Sequence, residues 1–192
     1  MRRSCGFALL EVVLAASVVV GATIVVMRSL DSSARSALVS SARHDLTAGL
    51  ERALESVRAD FEYGGLSTLA VVEDDAVAPM QDGIEYDNVQ CAAVVNVTSA
   101  GVEHGPVVSY QFELEAGELP DGIDNDGDGI ADEGILVRID PRGRQVLRSG
   151  VTAARFVKST DELSCTLTLA ESRPAGGVLA ETQRLVLTIV ND

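Results

Sequence analysis

The sequence predicts an α+β protein in which a long N-terminal helix, one half transmembrane and the other amphipathic, packs on an antiparallel β-sheet head. Three observations predict it. An apolar run fills residues 7–27, apolar residues then recur at helical spacing as far as Phe61, and from Ile84 onward short β-rich runs alternate with turn residues. A chain of 192 residues holds one compact domain plus an appendage, so two full domains are not expected.

The apolar run, FALLEVVLAASVVVGATIVVM from Phe7 to Met27, rises about 30 Å as a helix, enough to cross the hydrocarbon core. Arg2 and Arg3 lie just before it, so the positive-inside bias keeps the N-terminus in the cytoplasm and sends everything after Arg28 outward. One residue is wrong for lipid. Glu11 stands near the start of the run, and an intramembrane carboxylate costs several kcal/mol unless something pairs with it. It is therefore a functional candidate in need of a partner. A secretory signal peptide ending at Ala22 is an alternative, but it explains neither the glutamate nor the Gly6-Phe7 junction at the end of the basic leader. A lipoprotein reading of Ser4-Cys5-Gly6 fails because no apolar stretch precedes the cysteine.

Beyond Arg28 the pattern turns amphipathic. Leu38, Ala42, Leu46, Leu50, Leu54, Val57 and Phe61 form one stripe that should face a core, and Arg43, Asp45, Glu51, Arg52, Glu55, Arg58, Asp60 and Glu62 read as the solvated face. Tyr63-Gly64-Gly65 supplies the stop. Gly21 and Gly49 are the weak points of an otherwise continuous helix.

Gly6 followed by Phe7-Ala8-Leu9-Leu10-Glu11-Val12 resembles the processing site of type IV prepilins and type II secretion pseudopilins. The resemblance implies that a prepilin peptidase cuts after Gly6 and methylates Phe7. It also implies that Glu11, at the fifth mature position, neutralises the terminal amine of a neighbouring subunit in a filament. A charge costly in lipid would then act as a docking signal. The implied organisation is a leader at 1–6, a transmembrane segment at 7–28, an amphipathic helix at 29–63 and a periplasmic or extracellular head at 64–192. The implied partners are other pilin or pseudopilin subunits, the prepilin peptidase and an assembly platform in the bacterial inner membrane. The layout is closest to a minor pseudopilin of type II secretion.

In the head, strands are expected at Val89–Val97, Val107–Leu114, Ile135–Ile139, Gln145–Leu147, Ala153–Val157, Ser164–Leu169 and Arg184–Val190. The last should be central or well covered. Asp140 to Arg144 reads as a hairpin turn, Glu171 to Gly177 as a looser connection through Pro174, and Ser67 to Gly83 as a loop. Trp is absent, so the core should be built mainly from Val, Leu, Ile and Ala. With the leader gone, Cys91 and Cys165 remain either as a disulfide, permitted on the far side of a membrane, or as two independent buried thiols.

The strongest chemical motif is the acidic loop at 121–134. Asp124, Asp126 and Asp128 alternate and Gly129 permits a sharp turn, so three carboxylates can converge on one hard cation, with the Ile130 carbonyl as a fourth oxygen. Calcium fits best, as a structural ion. The twelfth position is Ile135 rather than Glu and no helices flank the loop, so Asp132, with Glu133 or Asp121, must complete the shell. The loop resembles the aspartate-rich calcium repeats of thrombospondin type 3 and dockerin modules. From Glu118 to Gly134 there are seven acids and no base, so without a cation the loop repels itself. The alternative is a solvated acidic hairpin.

The net charge of −14 repels nucleic acid and anionic headgroups, which excludes a nucleic-acid partner. No enzyme is expected: His44 on the helix and His104 in a loop beside Gly105-Pro106 have no nucleophile motif near them. No cysteine lies in a zinc-type cluster. Asn96-Val97-Thr98 reads as strand rather than as a glycosylation site. The leading expectation is a structural filament subunit. A calcium-dependent adhesin or cargo-binding module on the same anchor is the alternative from another class.

Overall fold

A computed structural model describes residues 5–73, 76–99, 101–173 and 177–189, with side chains from Leu9 onward. Arg2, Arg3, Pro174 and Val190 and the side chain of Phe7 lie outside the described residues. The chain divides into two compact units, residues 1–42 and 43–192. Helix α1 (Cys5–Phe61) is continuous through Gly21 and Gly49, and it contributes to both.

In the first unit every residue from 9 to 41 is exposed. The most apolar 18-residue window of the helix has a mean hydropathy of 2.5, so by length and composition it can cross a membrane. The two hydroxyls inside the run are satisfied within the helix. Ser17 Oγ donates to the Leu14 carbonyl and Thr23 Oγ1 to the Val19 carbonyl, each at 2.8 Å.

In the second unit the helix buries Leu46, Leu50, Ala53, Leu54, Val57 and Phe61. The expected stripe begins later than its spacing implies, for Leu38 is 70% exposed. Periodicity marks a face, but burial also needs something opposite that face, and Leu38 belongs to the first unit. The helix ends at Phe61 rather than Tyr63.

The head is a nine-stranded sheet, antiparallel throughout. In chain order its strands are β1 (Ala70–Glu73), β2 (Ala76–Pro79), β3 (Glu85–Tyr86), β4 (Asn88–Thr98), β5 (Gly101–Leu114), β6 (Gly134–Asp140), β7 (Gly143–Ser159), β8 (Glu162–Ser172) and β9 (Val178–Thr188). Their order across the sheet is β2-β1-β4-β5-β6-β7-β8-β9, with β3 paired to β7. From β4 to β9 each strand pairs with the next in sequence, so short hairpins and the acidic loop do all the connecting.

Four details differ from the sequence reading. The expected loop at 67–83 contains the β1–β2 hairpin, whose inner strand is held by Asn88: its Nδ2 donates to the Val72 carbonyl at 3.1 Å and its Oδ1 accepts the Val72 N–H at 2.7 Å. The two short runs at 145–147 and 153–157 are one strand, β7, with a register shift toward β8 between Val151 and Ala153 and two toward β6 between Val146 and Val151. His104, Gly105 and Pro106 lie within β5, where shifts in its pairing to β4 leave room for a residue that cannot donate. Strand β9 is not central but forms one edge of the sheet, and it buries only alternate residues such as Leu179, Leu185 and Leu187.

Aliphatic side chains dominate the core, yet Phe61, Tyr110 and Phe156 are its largest fully buried members. The Phe61 and Tyr110 rings meet edge to face at a centroid separation of 5.5 Å. Asp60, expected on the solvated face, is instead the polar clasp between helix and sheet. It accepts from Arg138 Nε at 2.6 Å and from Tyr110 Oη at 2.6 Å, while Arg138 also binds Asp140. Burial and the Asp60 bond push the Tyr110 hydroxyl well above its ordinary pKa, and Asp60 likewise stabilises the charged Arg138. Arg43 is also engaged, with Glu181 of β9 at 2.5 Å.

No disulfide joins Cys91 and Cys165. They are separate buried thiols on β4 and β8, with β5, β6 and β7 between their strands in the sheet order. Cys91 Sγ lies 3.4 Å from Thr68 Oγ1, and burial pushes the Cys165 thiol up to about 12.

Candidate metal centre

The acidic loop is the connection between β5 and β6, and its base is held by the sheet. Leu114 pairs with Gly134, and the Glu115 N–H donates to the Glu133 carbonyl at 3.1 Å. Gly134 admits no side chain, because a Cβ there would run into the Glu113 carbonyl and come within 2.6 Å of the Phe112 ring. Glu133 is thereby fixed at the foot of β6, where it is only 3% exposed. At the far end Gly129 adopts φ +100, as the alternating motif requires, and packs toward Ser172 at the end of β8. The Ile130 side chain is buried and anchors the loop.

Within this frame the carboxylates gather into two sets that share one member. Asp124, Asp126 and Asp128 each offer an oxygen within 4.8 Å of the others, and so do Glu118, Asp126 and Glu133. Oxygens bound to one calcium ion at about 2.4 Å can be at most about 4.8 Å apart, so either set fits a single cation. The first set is the alternation seen in the sequence. The second brings in Glu118, which lies outside the alternating motif and is only 6% exposed.

The two sets differ in what their oxygens already do. Both Asp124 oxygens accept backbone N–H groups, from Gly127 at 2.6 Å and Gly129 at 2.8 Å, and Asp128 accepts the Ile130 N–H at 2.8 Å. Glu118 takes the N–H groups of Asn125 and Asp126 on one oxygen and that of Asp132 on the other, at 2.9, 3.0 and 3.0 Å. Glu133 Oε2 is buried and has no hydrogen-bond partner. Burial raises the Glu133 carboxyl above its usual range, and the nearby Asp128, Glu118 and Asp126 raise it further.

Asp121 and Asp132 join neither set. Asp132, held at φ +54, accepts the Asp121 and Gly122 N–H groups at 3.1 and 2.9 Å, and Asp121 accepts the Ile123 N–H at 3.0 Å. They brace the loop entrance. Among the described residues no Lys or Arg is ion-paired with a loop carboxylate. The donors are all oxygen, which suits a hard divalent cation rather than a soft metal.

The other sequence-predicted residues sit in the first unit. Gly6, Phe7 and Glu11 all lie on α1, and Glu11 is exposed on the apolar run. An antiparallel sheet and one long apolar helix define the class of protein, an α+β chain with a candidate membrane span. No family model, curated protein or solved structure gives a significant match to this chain.

Proposed function

We propose that this chain is a type IV pilin-like subunit, cut after Gly6 and assembled into a filament through its N-terminal helix, and that it serves as a minor pseudopilin of type II secretion. The single observation that carries the reading is the exposed apolar helical surface from residue 9 to residue 27, with Glu11 as its one carboxylate. Such a surface needs lipid or other helices around it. In lipid alone Glu11 remains a penalty, whereas beside the terminal amine of another copy it becomes a register mark.

In this reading residues 7–28 anchor the subunit in the bacterial inner membrane with the leader in the cytoplasm. The head is periplasmic, and calcium in the 121–134 loop is structural. The chain does its work by fitting between neighbours and not by chemistry.

The test is Glu11→Ala in cells, scored by crosslinking of the subunit into filaments and by secretion of cargo. At least about a tenfold loss of incorporation is expected, with membrane insertion and protein level unchanged, because removing the charge makes the span more apolar. Incorporation at the wild-type level would refute the proposal. An adhesin on the same anchor differs in one observable: its head is reached by protease on intact cells.

A further inference from the structure

We propose that the cation of the acidic loop sits at its base, between Glu118, Asp126 and Glu133, and not on the outer Asp124, Asp126 and Asp128 triad that the motif advertises. The inference rests on the reading of this loop as a calcium site and goes beyond it by choosing the ligands.

Three facts select the base. Glu133 Oε2 is buried, has no partner, and belongs to a carboxylate whose oxygen lies within 4.8 Å of oxygens on Glu118 and Asp126. A buried carboxylate oxygen left alone is destabilising, and here two further carboxylates face it with no base among the described residues paired to any of them. A divalent cation removes both penalties at once. The outer triad carries no such penalty: Asp124 is half-buried and already engaged on both oxygens, and Asp126 and Asp128 are open to water.

The position also explains what the ion would do. Glu133 is fixed at the foot of β6, and Glu118 follows β5 by four residues while holding the N–H groups of Asn125, Asp126 and Asp132. An ion between them ties both ends of the loop and its middle to the sheet. On the outer triad it would order only the tip.

The experiment uses the full chain in detergent, stripped with chelator and titrated with calcium chloride, for wild type, Glu133→Gln and Asp128→Asn. Binding is read by competition with an indicator dye and by thermal melting. Glu133→Gln should weaken calcium binding by about tenfold or more, while Asp128→Asn changes it by no more than about threefold. In chelator, Glu133→Gln should melt above wild type, because it removes a buried charge that nothing compensates; this second sign excludes a variant that merely fails to fold. Wild-type affinity in Glu133→Gln together with lost binding in Asp128→Asn would place the ion on the outer triad and overturn the inference while leaving calcium intact. No calcium binding by wild type up to about 1 mM would overturn the calcium reading itself.

Discussion

The two ends of one helix have opposite surroundings. Residues 9–41 are exposed on every face and almost entirely apolar in their first half, whereas from residue 46 to residue 61 one stripe is buried and the other carries charge. The backbone is the same α-helix throughout. What differs is the solvent each side-chain pattern demands: a helix apolar all round has no interior to face within its own chain, and an amphipathic one does. In the proposed reading a membrane or a neighbouring subunit provides for the first half what the sheet provides for the second.

Substitution should separate the halves by their energies. Leu50 is fully buried, and Leu50→Ala should cost about 3 kcal/mol in thermal or denaturant unfolding of the detergent-solubilised chain. Val19→Ala, on the exposed half, should stay within about 0.5 kcal/mol. Equal losses would mean that the apolar half is packed within the chain after all.

Gly134→Ala tests the base of the acidic loop, where the added methyl meets the Glu113 carbonyl and the Phe112 ring. A loss of about 2–3 kcal/mol is expected from that overpacking, together with weaker calcium binding. A neutral result would show that the β5–β6 junction is looser than drawn.

Asp60→Asn tests the helix-to-sheet clasp. It removes the charge that Arg138 and Tyr110 share, at a cost of about 2 kcal/mol, and near-UV circular dichroism of Tyr110 should change with it. No change in stability would assign the clasp to the apolar stripe alone.

The smallest effect is an acid one. The Arg138 guanidinium first, then the Arg142 N–H, hold the Asp140 carboxyl below its usual range. A lowered folded-state pKa gives stability that is present in full above the unfolded value of about 3.9 and is lost as pH falls through the folded value. Wild type should therefore lose stability below about pH 4 more steeply than Asp140→Asn, as followed by melting temperature against pH.

Much of the fold was legible because long patterns are robust. The helix shows itself by a 21-residue run, Phe7 to Met27, whose one charged residue is Glu11, and then by its spacing, and the strands from β4 to β8 by their Val, Leu and Thr content between turns. Strands β1 and β2 were not legible. Each has four residues, with Glu73 at the hairpin end of β1, and the pair depends on Asn88, which lies 16 residues beyond Val72. Asp60 was misread because its charge fits a solvated face, and only the position of Arg138 on β6 makes it a half-buried partner. Edge and centre of a sheet are decided by pairing order, so β9 carried no local sign of its place.

In the site, the alternating aspartates were readable from spacing, and Glu133 from its place after Asp132. Glu118 was missed as a member of the carboxylate cluster because chain reversal brings it back onto Asp126. Its only signal was membership in the run of seven acids without a base.

The most direct measurement of the central claim is the intact mass and N-terminal sequence of the protein extracted from membranes of cells that possess a prepilin peptidase. The filament account predicts a chain beginning at Phe7 with a methylated terminal amine, beside which Glu11 can dock. A chain beginning at Thr23, with the apolar helix gone, would contradict it.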